Sequence, residues 1–257
     1  MPAKTIVFVH GMYMTPLCWE HWEEYFRAKG YQCLAPAWPG RGEPVEVLRQ
    51  RHPDPKLGRL TLTDILEHHN KVIASLDQKP ILIGHSMGAL AVQLLLQKGA
   101  ASAGVAIDSA PPMGVFTTKW SCLKSNWPHI TPFASLKEPI AMSFERFQYT
   151  FVNTMPVAQQ RAAFDRYVVP ESRRVPRESL TAWIDFKRPH APLLFIAGSE
   201  DHIIPASLNH TNYKKYLDPN SEIAFKAFPG RNHFIIGQDH WQEVAQYVEA
   251  WINRIKV

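Results

Sequence analysis

The stretch "KPILIGHSMGAL" (79–90) runs a short apolar segment into Ser86, with Gly84 two positions before it and Gly88 two after. A serine on a strained strand-to-helix turn needs nearly side-chain-free neighbours at those two places, so that the strand and helix backbones can approach. "PILI" reads as the strand and "MGALAVQLLLQKG" as the helix, which makes Ser86 the candidate nucleophile. A serine hydroxyl is weak at neutral pH and needs a base that is itself oriented by a third group. Twelve histidines compete for the first role, and position has to choose among them. His233, in "FPGRNHF", falls between the last strand and the last helix, on the carboxyl edge where Ser86 also lies. His240 is the second choice, at the start of the terminal helix. His68 and His69 fall inside a helix and read as surface or boundary histidines.

For the acid, "IAGSEDHIIP" puts Asp201 just beyond the fifth strand, and Asp108 at the end of "GVAID" is the alternative one strand nearer the serine. When a serine adds to a carbonyl, the oxygen becomes anionic, and each preorganised amide aimed at it is worth on the order of 10² to 10³ in rate. The Met87 amide, first in the helix after Ser86, is one expected donor, helped by the positive helix end. The Met12 amide is the other, because Gly11 permits a sharp turn after the first strand. Gly11, Tyr13 and His85 are the expected substrate contacts.

The elements that must position these groups alternate between strands and helices. "TIVFVH", "YQCLA", "PILIG", "GVAID", "PLLFIAG" and "IAFKAF" read as six strands, the first uncharged and β-branched as a strand buried on both faces would be. Thr15–Pro16 opens one helix that Gly30 stops, Thr61 or Thr63 caps another over 61–77, and "HWQEVAQYVEAWINRI" closes the chain amphipathically. Between "AIDSAPP" and "RPHAPLLFIAG" lies a strandless stretch too long for a loop in a compact domain. It reads as an inserted helical cap, with helices in "SFERFQYTFVNT", "PVAQQRAAFDRYVV" and "PRESLTAWIDF". The core is thus expected over 1–110 and 191–257, and the cap over 111–190.

At 257 residues and 46% hydrophobic, the chain can bury one large core. Its 28 basic and 23 acidic side chains give a formal charge of +5 with no long basic run, so no nucleic-acid partner is expected. The densest basic cluster, "ESRRVPRES", reads as a solvated face. Cys18, Cys33 and Cys122 suit neither a disulfide framework nor a metal site and are expected as reduced thiols in a cytoplasm. The amino-terminal apolar run is far too short for a signal peptide or membrane span, and no integral membrane contact is expected.

"FVHGM", "GHSMG", "GSEDHIIP" and "GRNHF", in that order, closely resemble the α/β-hydrolase superfamily with its chain order Ser, Asp, His. The resemblance spans essentially the whole chain. It implies a mainly parallel sheet with helices on both faces, a triad at the carboxyl edge and a mobile helical cap. Only four residues precede the first strand, where most members begin with an antiparallel hairpin, so about six strands are expected. That compact form is similar to small bacterial esterases, methyl-salicylate esterases and hydroxynitrile lyases. Met12 stands where perhydrolase-like relatives often carry an aromatic residue.

Serine at the nucleophile position argues against epoxide hydrolases and haloalkane dehalogenases, which carry aspartate there. Hydrolysis of a carboxylic ester, thioester or lactone leads, with no metal or organic cofactor required. Twelve aromatic side chains between 112 and 190 favour a hydrophobic or aromatic small-molecule ester. Two alternatives stay open. One is a lyase using the triad as a base, with a cap lysine from among Lys119, Lys124, Lys137 and Lys187; the other is a non-catalytic small-ligand receptor. A homodimer is likewise open.

Overall fold

The computed structural model describes residues 4–131 and 133–255. The expected core ends at 1–3 and 256–257, and position 132 of the expected cap, lie outside the described residues. Six strands form one sheet: β1 (Thr5–Val9), β2 (Gln32–Leu34), β3 (Ile81–His85), β4 (Ala103–Ile107), β5 (Leu193–Gly198) and β6 (Ile223–Phe228). They lie in the order β2-β1-β3-β4-β5-β6, and every pairing is parallel. The expected sheet of about six strands is therefore present.

Burial explains the apolar strands. Ile6, Phe8, Ile81, Ile83, Leu194 and Ile196 face one core, and Val7, Val9, Leu82, Ala106, Leu193 and Phe195 face another. Successive side chains point to opposite faces, so a sheet covered on both sides needs apolar residues at every position. Phe26 of α1 (Glu20–Ala28) and Trp251 of α10 (Trp241–Arg254) cover the first face; Ile73 of α3 (Leu62–Ala74) and Val92 of α4 (Met87–Gln97) cover the second. Thr61, of the two expected caps, opens α3 through a reciprocal bond pair with Asp64: Asp64 N donates to Thr61 Oγ1 at 3.0 Å and Thr61 N to Asp64 Oδ2 at 2.9 Å. No described helix is long and apolar enough to cross a membrane, and the three cysteines are free.

After β1 the chain goes to β2 on one side, then returns with β3 on the other. This reversal opens a crevice at the carboxyl ends of β1 and β3. Val9 pairs with Gly84, so the residues that follow each strand, Gly11 and Ser86, emerge side by side.

Between β4 and β5 lie α5 (Trp120–Ile130), α6 (Phe144–Thr150), α7 (Val157–Tyr167) and α8 (Arg174–Ser179). The α6 and α7 segments match the expected helices, while α8 ends before "LTAWIDF". Periodicity does not predict α5, because Pro128 sits inside it and Trp120, Leu123 and Trp127 are exposed along it. Two further expectations are corrected. "ESRRVPRES" is no solvated face: Glu171 and Ser172 are fully buried, Val175 and Pro176 are buried, and Arg173 and Arg177 donate to the carbonyls of Pro128 and His129. These arginines satisfy the carbonyl end of α5, a use of charge invisible to a local reading. His69 is also fully buried, its Nδ1 bonded to Ile65 O at 2.8 Å.

Candidate active site

Ser86 sits between β3 and α4 with φ 58° and ψ −120°, a strained backbone for any residue with a side chain. Its surroundings hold it there: Ser86 N donates to Ile107 O at 2.9 Å, and Ser86 O accepts from Ala89 N and Ala110 N, each at 3.0 Å. A Cβ on Gly84 would strike the Gly88 carbonyl, and one on Gly88 would strike the carbonyls of Val9 and His10. These glycines are therefore demanded by backbone contact on both flanks. Gly88→Ala is expected to destabilise the fold by at least the roughly 1–3 kcal/mol typical of overpacking, because rigid backbone cannot yield as a side chain can. A urea unfolding midpoint unchanged from the parent would contradict this.

His233 arrives on the loop after β6. Its approach requires Gly198, where a Cβ would lie 2.5 Å from Arg231 O. His233 Nε2 is 3.0 Å from Ser86 Oγ, and His233 Nδ1 is 2.6 Å from Asp201 Oδ2. Asp201 is fixed in turn, its Oδ1 accepting from Ile203 N at 2.7 Å and Ile204 N at 2.8 Å. A carboxylate can only accept, so the proton belongs on Nδ1 and leaves Nε2 to accept from the serine hydroxyl. All three side chains are buried. The arrangement can take a proton from Ser86 and hold the imidazolium that results.

Asp108 lies close by but is engaged differently. It is fully buried at φ 43°, Oδ1 accepts from Gly198 N at 2.8 Å, and Oδ2 has no partner. Burial, reinforced by the Asp201 charge, pushes its carboxyl well above the usual carboxylate range. Asp108, His85 and His233 bring ligand atoms within 4.8 Å of one another. Both nitrogens of His233 are already bonded to Asp201 and Ser86, however, which leaves fewer than three donors for a metal.

The Met12 and Met87 amides donate no hydrogen bond to a described residue, and both residues line a cavity of about 240 Å³ whose floor includes Ser86. Met87 opens α4, where an amide has no intrahelical acceptor. Of the expected substrate contacts, only Tyr13 lines this cavity. Gly11 instead permits contact, since a Cβ there would lie 2.8 Å from Ser86 Cβ. The His85 ring is fully buried beneath the site, with Nε2 2.7 Å from His233 O; burial drives its pKa well below the ordinary value, so it is a neutral support. The cavity wall is mostly aliphatic. Of the twelve cap aromatics, Phe116 and Phe151 line it, while Trp120, Trp127, Phe133 and Trp183 are exposed.

Among the polar residues that interrupt that wall are Tyr13 and His129, whose pairing has no local sign in the sequence. Tyr13, at φ 63°, donates its amide to Glu171 Oε2 at 3.0 Å, and its hydroxyl lies 3.1 Å from His129 Nε2. Burial, then the charges of Arg146 and Arg173, pushes His129 down to about 3, so the ring is neutral at pH 7. The partners are 158 and 116 positions apart.

Residues 6–247 match the family model described as the alpha/beta hydrolase family. No curated protein matches the chain by sequence. Among solved structures, tomato methylketone synthase I complexed with 2-tridecanone is similar at 17% identity and TM-score 0.72, each chain being covered in full. An Arabidopsis methylesterase is similar at 13% identity and TM-score 0.70, with 98% of this chain and 100% of that one covered. The pyrethroid hydrolase PytH is similar at 17% identity and TM-score 0.69, with 98% of each chain covered. At such identities the likeness speaks for the fold.

Proposed function

This chain belongs to the alpha/beta hydrolase family, and from that premise we propose that it hydrolyses carboxylic esters through Ser86, His233 and Asp201. One observation carries the reading: the unbroken hydrogen-bond chain from Ser86 through His233 to Asp201, at the floor of an apolar cavity beside two unpartnered amides. Ser86 Oγ attacks the ester carbon while His233 Nε2 takes its proton. The resulting oxyanion faces the amides of Met12 and Met87. Collapse breaks the bond to the alcohol, which leaves with the proton from His233. Water then attacks the acyl-enzyme, again giving its proton to His233, and the acid departs as Ser86 is restored.

Residues 111–190 act as the cap over a core of 1–110 and 191–257. Support comes from the cavity wall, which Val115, Leu123 and Met142 share with Met12 and Ile203. The lyase alternative lacks its cation, since none of the described lysines lines the cavity; Lys124 Nζ sits 3.9 Å over the Tyr149 ring instead. The esters of the structural relatives are matters of those proteins. For this chain, the corner of Tyr13 and His129, with the charges of Arg146 and Arg173 acting on it, favours an apolar ester bearing a second acceptor oxygen.

p-Nitrophenyl esters of increasing acyl length test the reaction, and a serine-reactive phosphonate should label Ser86 alone. Absence of both turnover and labelling would overturn the proposal. Tyr13→Phe tests the substrate class. Losing a hydrogen bond worth about 1–1.5 kcal/mol should raise KM for a 3-oxobutanoate ester roughly five- to tenfold. The butanoate ester should be unaffected, and equal changes for both esters would count against the corner as a recognition element.

A further inference from the structure

Two backbone amides hold the Asp201 carboxylate, and side chains of α5 hold the other ends of the same two peptide units. Between His202 and Ile203, the N–H donates to Asp201 Oδ1 at 2.7 Å and the carbonyl accepts from Ser125 Oγ at 3.1 Å. Between Ile203 and Ile204 the pattern repeats: the N–H donates to Asp201 Oδ1 at 2.8 Å and the carbonyl accepts from Asn126 Nδ2 at 3.2 Å. Each of these α5 side chains lies 77 positions from the carbonyl it meets. A carbonyl that accepts a hydrogen bond polarises its peptide, which makes the N–H of that unit a stronger donor. Two adjacent side chains thus act through two adjacent peptides on one carboxylate oxygen, while the other oxygen bonds His233 Nδ1 at 2.6 Å.

Both side chains are committed to this geometry. Ser125 is buried, its hydroxyl carries one proton, and that proton goes to His202 O. Its own carbonyl accepts from Arg146 Nη2, which pins the main chain behind it. Asn126 meets two carbonyls, Cys122 O at 2.9 Å and Ile203 O at 3.2 Å, so the amide nitrogen with its two protons must face them. The rest of the Asp201 turn is tied to the same inserted segment. Asn153 Nδ2 donates to Glu200 O at 3.0 Å, and His202 Nδ1 donates to Tyr149 O at 2.8 Å. Ser125 and Asn126 also line the cavity above Ser86, so a test must separate support of the acid from contact with substrate.

We propose that Ser125 and Asn126 are positioning residues for Asp201, so that the triad's acid is fully supported only while α5 is seated; the inference rests on the ester-hydrolase reading for the reaction that Asp201 serves. Withdrawal of α5 removes both donors and loosens the carboxylate that orients His233. Ser125→Ala and Asn126→Ala should each lower kcat for a p-nitrophenyl ester about fivefold, the worth of roughly 1 kcal/mol. KM should stay within about twofold, because binding made equally in ground and transition states is untouched. Ser125→Thr keeps the hydroxyl and should recover most of the parent's kcat. Asn126 is only half-buried, so its variant carries the test should Ser125→Ala not fold. A raised KM with kcat intact would make these residues substrate contacts, and a lowered melting midpoint with kcat per folded enzyme intact would make them structural; either pattern in both variants overturns the proposal. A proton spectrum reads the same link without substrate. The proton held between His233 Nδ1 and Asp201 Oδ2 should resonate far downfield of ordinary amides, and Asp201→Asn, which removes that charge-assisted bond, assigns it. It should move upfield or broaden in both alanine variants and stay in place in Ser125→Thr; an unmoved resonance in both alanine variants overturns the proposal. Because the resonance needs no ester, a parent without turnover would defeat the ester reading alone, whereas an active parent with kcat and resonance unchanged in the variants would defeat this inference alone.

Discussion

Ser86→Ala is expected to lower kcat for a p-nitrophenyl ester by about 10⁴-fold or more, roughly 5.5 kcal/mol of transition-state stabilisation. In the proposed reaction this side chain supplies the attacking atom, and among the described residues no other hydroxyl bonds His233 Nε2. What survives is the contribution of the two amides and of substrate binding, which can still favour slow attack by water. The fold should survive too. Alanine enters the same φ 58° backbone without a new Cβ, and the bonds that hold Ser86 in place run through its main chain. A nonreactive ketone analogue of the ester should bind the variant within about threefold of the parent, because binding made equally in ground and transition states is untouched. Equal turnover by the two proteins, measured on matched folded samples, would remove Ser86 from the reaction.

The parts of the site that were legible in sequence are those fixed by backbone contact. Gly84 and Gly88 carry their own signature because each faces a carbonyl that admits no Cβ, and that restriction acts over four residues. His233 and Asp201 were legible through the fold: once the strands are placed, the loops after β5 and β6 must lie on the edge that carries Ser86. Strand positions followed from runs of apolar residues because both faces of the sheet are covered. Legibility ended where long-range polar partners decide conformation. Glu171 sits in a charged stretch whose composition suggests solvent, yet it is buried to hold Arg41 and the Tyr13 amide. His129 looks like any polar residue on a proline-interrupted helix until Tyr13 meets it from the opposite side. Gly11 and His85, expected as substrate contacts, do not line the cavity, for a related reason. Adjacency to the nucleophile in sequence says nothing about which side of the turn faces substrate, and both support the turn from beneath.

The acid is where two carboxylates compete, and Asp201→Asn and Asp108→Asn should separate them widely. Asp201→Asn is expected to cost about 10⁴ in kcat. Its oxygen bonds His233 Nδ1 at 2.6 Å; an amide placed there can donate to Nδ1 and so favour the tautomer with its proton on Nε2, which cannot accept from Ser86. It also removes the charge that would stabilise the imidazolium. Asp108→Asn should cost less than about tenfold, because the change is close to the native state of the group. Its carboxyl is held far above its ordinary range by burial and by the Asp201 charge, which favours the protonated, uncharged form. Asparagine is uncharged, tolerates the φ of 43°, and keeps an oxygen for Gly198 N at the same place. The sign follows from the raised pKa: the folded state holds the Asp108 proton more tightly than the unfolded chain does, so the parent loses stability as pH rises from the unfolded value, about 4, towards the folded one. Asparagine cannot ionise, so the stability of Asp108→Asn relative to the parent should rise as pH climbs from about 4 to 7, an effect urea titrations at those two pH values would read. A severe loss of kcat in Asp108→Asn with Asp201→Asn nearly intact would transfer the acid's role to Asp108.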